Sequence, residues 1–205
     1  MELKKNKIMQ QDLLIQAEKM FENDLQKWNS FLELVSQKDT IRNNWFKKLK
    51  QALDKQFFEI EKVEGWSYTP NSWGSYNHWY ITEFGSDSLS VLNGRDNFLF
   101  GLHANGELFD LGKIEELLKT SKYSPILSCL DRIDVLFGGN WIAREQGNFY
   151  FESTHDGNFT EYDKLAWYAG NMTDSFVKQI SDKVKKFRFT EITNLISEIN
   201  KLSKK

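Results

Sequence analysis

The stretch that decides the fold class runs from Gly65 to Tyr80 and reads GWSYTPNSWGSYNHWY. Three tryptophans and three tyrosines fall within these sixteen residues. Ser, Asn, Gly and Pro separate the rings, so all six cannot lie in a protein interior. The stretch therefore predicts a loop rich in aromatic side chains that leads into a sheet.

The residues after this stretch alternate with the period of two that strands require. Segments 78–84, 89–92 and 97–104 are rich in aromatic and β-branched residues, and turn-forming residues, among them Asn93-Gly94, separate them. Asn-Gly accepts positive φ at both central positions of a hairpin turn. We expect an antiparallel β-meander of three or four strands, and then a second β-hairpin within residues 133–153.

Amphipathic helices are predicted on both sides of the sheet region. Within residues 9–37 the apolar side chains recur at intervals of three and four, close to a heptad repeat. They are Leu14, Ala17, Phe21, Leu25, Trp28, Leu32 and Val35. A second helix is expected to start at Asp39 or Thr40, and the short link predicts an antiparallel helical hairpin. Further apolar stripes predict C-terminal helices after residues 160, 173 and 190.

Together these patterns predict an α+β fold. An N-terminal helical hairpin at residues 1–62 precedes an α+β domain at residues 63–205, whose C-terminal helices pack on the sheet. The N-terminal stripes could pair with each other, dock on the sheet or form a homodimer. Burial within the chain is the favoured interpretation, because the apolar face of an amphipathic helix usually packs against the rest of its own chain.

The net charge of −2 is unevenly distributed along the chain. Residues 63–172 carry 7 basic and 15 acidic side chains, whereas residues 173–205 carry 8 basic and 4 acidic ones. An acidic sheet region repels phosphate backbones. Nucleic-acid binding is therefore an alternative only for the basic C-terminal helices, with Lys183, Lys185, Lys186 and Arg188 as the candidate residues.

The sequence lacks the motifs of several enzyme classes. It has no Gly-x-Ser-x-Gly, no Walker loop and no Gly-x-Gly-x-x-Gly. His78, His103 and His155 do not have the spacing of metal ligands, and Cys129, the single cysteine, lies in an apolar segment typical of an inert thiol. We expect no catalytic residue, no metal and no cofactor.

One enzymatic alternative stays open. Acidic residues surround the predicted meander, and two of them could converge as an acid and a base or hold a divalent metal in a hydrolase cleft. The candidates are Glu83, Asp87, Glu107 and Asp110.

Localisation is predicted from what the apolar segments can span. No apolar run approaches the roughly 20 residues that cross a bilayer, and polar residues follow Lys4, Lys5 and Lys7 where a signal peptide would be apolar. A cytoplasmic protein without membrane contact is expected.

The aromatic stretch holds the candidate partner-binding residues. Trp66, Trp73 and Tyr76 could form an exposed platform for a protein, a base or a sugar, with Tyr68 and His78 beside them. The more ordinary alternative is a loop that folds back over the sheet edge through its own rings. Strand alternation from His78 places Trp79 on the core face.

The order of elements also carries a resemblance. A helix contains residues 45–49, a Trp/Tyr-rich strand covers 79–84, a hairpin covers 140–153, and a helix carries residues 164–167. This order resembles the C-terminal accessory regions of PD-(D/E)XK nuclease-like proteins from bacterial restriction and phage-defence loci. The only Glu-x-Lys is Glu2-Leu3-Lys4, so the nuclease motif itself is missing. The resemblance implies a non-catalytic accessory or inhibitory protein that acts through protein–protein interaction.

Overall fold

The computed structural model describes residue 12 and residues 14–72, 76–95, 99–145 and 162–205. Its architecture is α+β, as predicted. A six-stranded antiparallel sheet has the strand order β1-β2-β3-β4-β6-β5. The strands are β1 Trp66–Ser72, β2 Tyr76–Ile81, β3 Ser90–Gly94, β4 Phe100–His103, β5 Val135–Gly138 and β6 Trp141–Glu145.

Along the chain, helices lie before the first strand, between β4 and β5, and after the last strand. They are α1 (14–21), α2 Leu25–Ser36, α3 Lys38–Lys55, α4 Leu111–Leu118, α5 Tyr162–Asn171, α6 Thr173–Phe187 and α7 Thr190–Ser203. A π-helical turn at Gln56–Ile60 extends α3, and a short 3₁₀ helix covers Ser124–Cys129. The chain forms two compact units, Met1–Asn43 and Asn44–Lys205.

The N-terminal helices are present, but their boundaries differ from the prediction. The predicted helix over 9–37 is interrupted after residue 21, where Asn23 has a φ of 58° and Asp24 caps α2 by accepting from the amide of Lys27. Asn tolerates the left-handed conformation better than most residues. The predicted break near residue 38 is nearly helical instead, because the amide of Ile41 donates to the carbonyl of Gln37 at 3.0 Å.

Two predictions about the sheet are wrong. The stretch that was predicted as a loop contains β1, which pairs with β2 and places Tyr68 opposite Trp79. Asn93-Gly94 was predicted as a turn but ends β3, where the side chain of Asn77 donates to that of Asn93. Tyr76 also pairs with Gly94, so strand β3 continues through the Asn-Gly pair. The second predicted hairpin is β5 paired with β6, and segment 149–153, the end of the range in which it was expected, lies outside the described residues.

The core lies on one face of the sheet. Trp79, Val91, Leu102 and Ala143 are in register across β2, β3, β4 and β6, and all four are buried. They belong to one apolar cluster with side chains of α3, α6 and α7. The prediction that Trp79 is a core residue is confirmed. Burial of this row favours the observed register, because a shift by one residue would move it to the face that holds His78, Ser90 and His103.

Candidate functional site

The predicted partner-binding residues separate onto the two faces of the sheet. Trp66 and Tyr68 lie on the face of Trp79, where each opposes a β2 residue. Tyr76 and His78 alternate with Trp79 and so lie on the other face, where the ring of Tyr76 is 6.0 Å from that of Trp141. Trp73 lies outside the described residues. The prediction that Trp66 and Tyr76 share an exposed loop is therefore wrong.

Trp66 and Tyr68 line a cavity of about 400 Å³ within the second unit. We call it the aromatic pocket and define it by Phe57, Phe58, Trp66, Tyr68 and Trp79. Three of these rings contact each other closely: the centroid distances are 4.8 Å for Phe57–Trp79, 5.2 Å for Tyr68–Trp79 and 5.2 Å for Phe57–Tyr68. The pocket is thus walled by a packed aromatic cluster.

The π-helical turn shapes one side of the aromatic pocket. It holds Phe57 in the core and leaves Phe58 substantially exposed, with the Phe58 ring 5.0 Å from Tyr68. The amide of Glu61 donates to the carbonyl of Gln56 at 2.8 Å and closes the turn. Single π-helical turns are frequent at functional sites because the extra residue redirects side chains.

A polar wall built around Glu61 closes the other side. Its Oε1 accepts from Gln56 at 2.8 Å, from Ser181 at 2.5 Å and from Lys185 at 2.8 Å. Burial raises the pKa of Glu61, but these three groups outweigh burial and leave the pKa below its ordinary value. Arg188 donates from Nη2 to the Glu61 carbonyl at 3.2 Å. Burial lowers the pKa of Arg188.

The predicted nucleic-acid residues are paired with carboxylates. Lys183 and Lys186 both contact Asp131 at 2.5 Å, and Lys185 and Arg188 both lie within ion-pair distance of Glu61. Lys183 and Arg188 are also buried or nearly so. This basic run therefore neutralises acidic partners within the fold.

A buried network of histidine and serine occupies the face opposite the core. His78 contacts Ser72 Oγ through Nδ1 at 3.0 Å and Ser90 Oγ through Nε2 at 2.8 Å. Ser90 also donates to the carbonyl of His103 at 3.2 Å. Burial lowers the pKa of His78 and of His103 to about 4 in each case; for His78 the charge of His103 adds to the effect, and Asp87 opposes it. His78 is thus a neutral interior residue.

The remaining candidate groups have structural contacts of their own. Asp110 caps α4 by accepting from the amide of Lys113 at 3.0 Å, and Asp87 accepts from the side chain of Asn105 at 2.9 Å. Burial raises the pKa of the Cys129 thiol to about 11, so it stays protonated at neutral pH. Within the described ranges, no three His, Cys, Asp or Glu side chains converge as a metal site.

The helices α1 and α2 carry a large exposed apolar surface. None of the described residues from 14 to 43 is buried. Nine large apolar side chains there are 39% to 72% exposed, and we call them the helical-pair surface: Leu14, Ile15, Met20, Leu25, Trp28, Phe31, Leu32, Leu34 and Val35. Of the predicted stripe, Leu14, Leu25, Trp28, Leu32 and Val35 belong to this surface, whereas the Phe21 ring packs 5.2 Å from that of Trp28 and 4.9 Å from that of Phe31.

The sequence indicates the helical-pair surface more directly than it indicates the aromatic pocket. Five of the nine side chains of the helical-pair surface belong to the three-and-four spacing that the sequence displays, namely Leu14, Leu25, Trp28, Leu32 and Val35. Phe57, Phe58, Glu61 and Arg188 were missed as one site, because Glu61 and Arg188 are 127 residues apart. The aromatic doublet Phe57-Phe58, just ahead of the Trp/Tyr-rich stretch, is the one local signal that could have indicated it.

Across the part of the chain that the structure describes, no helix is both long and apolar enough to cross a bilayer. Comparisons of the chain with protein-family models, with curated proteins and with solved structures found no match.

Proposed function

We propose that this protein acts by binding other proteins, and that its helical-pair surface joins two copies of the chain. The observation that carries the proposal is that this surface exposes nine large apolar side chains while residues 14–43, as far as they are described, contain no buried one. Contiguous apolar patches of this kind are rare on monomers and mark interaction sites.

The free energy gained by burying the helical-pair surface in a dimer is large enough to offset the cost of association. Burying the exposed part of each side chain is worth roughly 1 kcal/mol, so nine of them contribute on the order of 10 kcal/mol per chain. Association costs an estimated 4–15 kcal/mol in lost freedom. Two copies that both contribute this surface therefore gain enough to form a stable dimer.

A second copy is the partner that the pattern favours. The apolar positions of α1 and α2 follow the near-heptad spacing with which helices pack on helices. Residues 12–43 carry six acidic and four basic side chains, so charges of both signs are available across a self-complementary interface. Like-charge repulsion is therefore small.

An accessory or inhibitory role in bacterial phage defence is the biological setting that we propose for this binding. It rests on the resemblance in element order to accessory regions of PD-(D/E)XK nuclease-like proteins. The dimer would then present two copies of the α+β unit to a target protein.

The proposal is tested by light scattering coupled to size-exclusion chromatography. The full chain is expected to elute as a dimer at about 10 μM, because a net gain of about 10 kcal/mol for the two surfaces together implies a dissociation constant of roughly 0.05 μM. The variant Leu25→Gln/Trp28→Gln/Leu32→Gln removes three of the exposed side chains and is expected to be monomeric. Its α+β unit should melt at the same temperature as in the parent.

A matched control replaces three equally exposed leucines in the second unit. Leu108, Leu136 and Leu202 are 51%, 48% and 52% exposed, and their triple change to Gln should leave the dimer intact. A parent chain that is monomeric at this concentration would contradict the proposal. So would a control variant that dissociates as readily as the α2 variant.

A further inference from the structure

The aromatic pocket has hydrogen-bond donors in its walls that the protein does not use. Trp79 Nε1 and Arg188 Nε are buried and have no acceptor among the described residues, and both side chains line the pocket. A buried N–H without an acceptor is costly and uncommon in native proteins. A ligand that supplies acceptors would remove this cost.

The unused donors of the polar wall favour a ligand that carries hydrogen-bond acceptors. Glu61 is the one carboxylate between two cations, Lys185 and Arg188. Its Oε1 already takes three donors, and its Oε2, which has no hydrogen bond, lies 4.0 Å from Arg188 Nη1. The charged side chains that line the cavity are Glu61, Lys62, Glu64 and Arg188, two of each sign, so the unused Nε donor of Arg188, and not a surplus of positive charge, favours a carboxylate here.

The rest of the pocket favours a flat apolar body. Phe58 and Tyr68 meet edge to face at 5.0 Å and leave ring surface along the cavity, and Trp66 forms the adjoining wall. Trp66 Nε1 donates a hydrogen bond to Thr193 Oγ1 at 3.2 Å, so this indole offers only its ring surface to a ligand. A volume of about 400 Å³ lies in the range of small-molecule sites.

We propose that the aromatic pocket binds a small aromatic carboxylate. Its ring lies among Phe58, Trp66 and Tyr68, and its carboxylate accepts from the guanidinium of Arg188. A quaternary ammonium ion, the usual occupant of an aromatic cage, is disfavoured because it offers no acceptor to the unused donors Trp79 Nε1 and Arg188 Nε. This site is separate from the helical-pair surface, so it does not depend on the dimer.

The test is a titration of the full ¹⁵N-labelled chain with sodium phenylacetate and sodium indole-3-acetate, followed by NMR. The probes are matched with phenylacetamide, which lacks the charge, and with choline, which reverses it. Both carboxylates should shift the Trp79 indole and Arg188 Nε–H signals in a saturable way. Phenylacetamide should bind at least about tenfold more weakly, since a charged hydrogen bond is lost.

Two variants test whether the ligand binds in the aromatic pocket. Val63 lines the cavity, and Val63→Trp fills it without changing Glu61 or Arg188, so binding should be lost. Leu202→Trp adds the same side chain at an exposed position that does not line the pocket, and it should bind as the parent does.

Three results would overturn the proposal. The first is the absence of a saturable shift at Trp79 and Arg188 with either carboxylate. The second is tighter binding of choline than of phenylacetate. The third is unchanged carboxylate binding in Val63→Trp, which would place the ligand elsewhere.

Discussion

Lys183 Nζ lies 2.5 Å from Oε1 of Glu145, and the two side chains are only 7% and 0% exposed. Oε2 of Glu145 accepts from the amides of Asp131 at 2.7 Å and Arg132 at 3.3 Å. The lysine also lies over the Phe100 ring, 5.7 Å from its centroid. A residue that the sequence places in a solvated basic run is therefore a buried cation that connects α6 to β6.

Replacing Lys183 by Met is expected to destabilise the protein strongly. The carboxylate of Glu145 would remain buried without its cation, which typically costs about 3–5 kcal/mol. The free energy of unfolding from urea titrations measures the loss. Lys178→Met is the matched control on the same helix, because Lys178 pairs with Asp182 at the surface and such pairs contribute less than about 1 kcal/mol. Equal losses in the two variants would contradict the assignment.

Stability should fall as the pH drops from about 6.5 towards 4. The pKa of His78 and of His103 is about 4 in the folded protein, against 6.5 as the ordinary value. In this window the unfolded chain binds protons that the folded protein does not, so unfolding becomes easier as the pH falls. Each imidazole contributes on the order of 3 kcal/mol when the pH reaches 4.

Urea titrations between pH 7 and pH 5 isolate this histidine effect. The carboxylates whose pKa is lowered, which are Asp24, Glu61, Asp131 and Glu198, stay ionised across that range. The variant His78→Gln should flatten the pH dependence by removing one of the two groups. A parent chain whose stability is constant between pH 6.5 and pH 5 would refute the burial of neutral imidazoles.

Gly101→Ala is expected to disrupt the sheet. A Cβ at this position would lie 2.2 Å from the carbonyl oxygen of Ala143 and 2.9 Å from Cα of Arg144, and both atoms belong to the backbone of β6. Because backbone cannot move aside as a flexible side chain does, we expect a loss above about 3 kcal/mol or insoluble protein. Gly112→Ala in α4 meets nothing closer than 3.4 Å and should be neutral or stabilising, by up to about 1 kcal/mol.

Asp110→Ala should cost about 1 kcal/mol of stability through loss of the α4 cap. Asp110→Asn should retain most of that stability, because the amide oxygen can still accept from Lys113. Thermal unfolding with and without Mg²⁺ gives the measurement. The hydrolase alternative requires metal-dependent stabilisation that Asp110→Asn abolishes, and a structural cap requires that Mg²⁺ have no such effect.

Much of the fold was predictable because it depends on local spacing. Period-two alternation identified the meander and placed Trp79 in the core, and intervals of three and four identified the helices. Local signals failed where tertiary contacts outweighed them. Asn93-Gly94 resembles a turn, yet the pairing of Asn93 with Asn77 keeps it in a strand.

The candidate sites divide in the same way. Five of the nine side chains of the helical-pair surface could be recognised as part of an apolar stripe, although their exposure could not, since exposure depends on tertiary packing. The roles of Lys183 and Arg188 could not be predicted from a basic run, because their partners Glu145 and Glu61 are far away in sequence.

The sequence by itself therefore determined the fold class, most of the helices and strands and the core position of Trp79, but not strand β1 or the break between α1 and α2. The tertiary structure alone decided which charges are paired, which histidines are neutral and which aromatic rings surround a cavity. The physical reason is that periodicity is a property of neighbouring residues, whereas burial and charge pairing are properties of distant segments brought together by the fold.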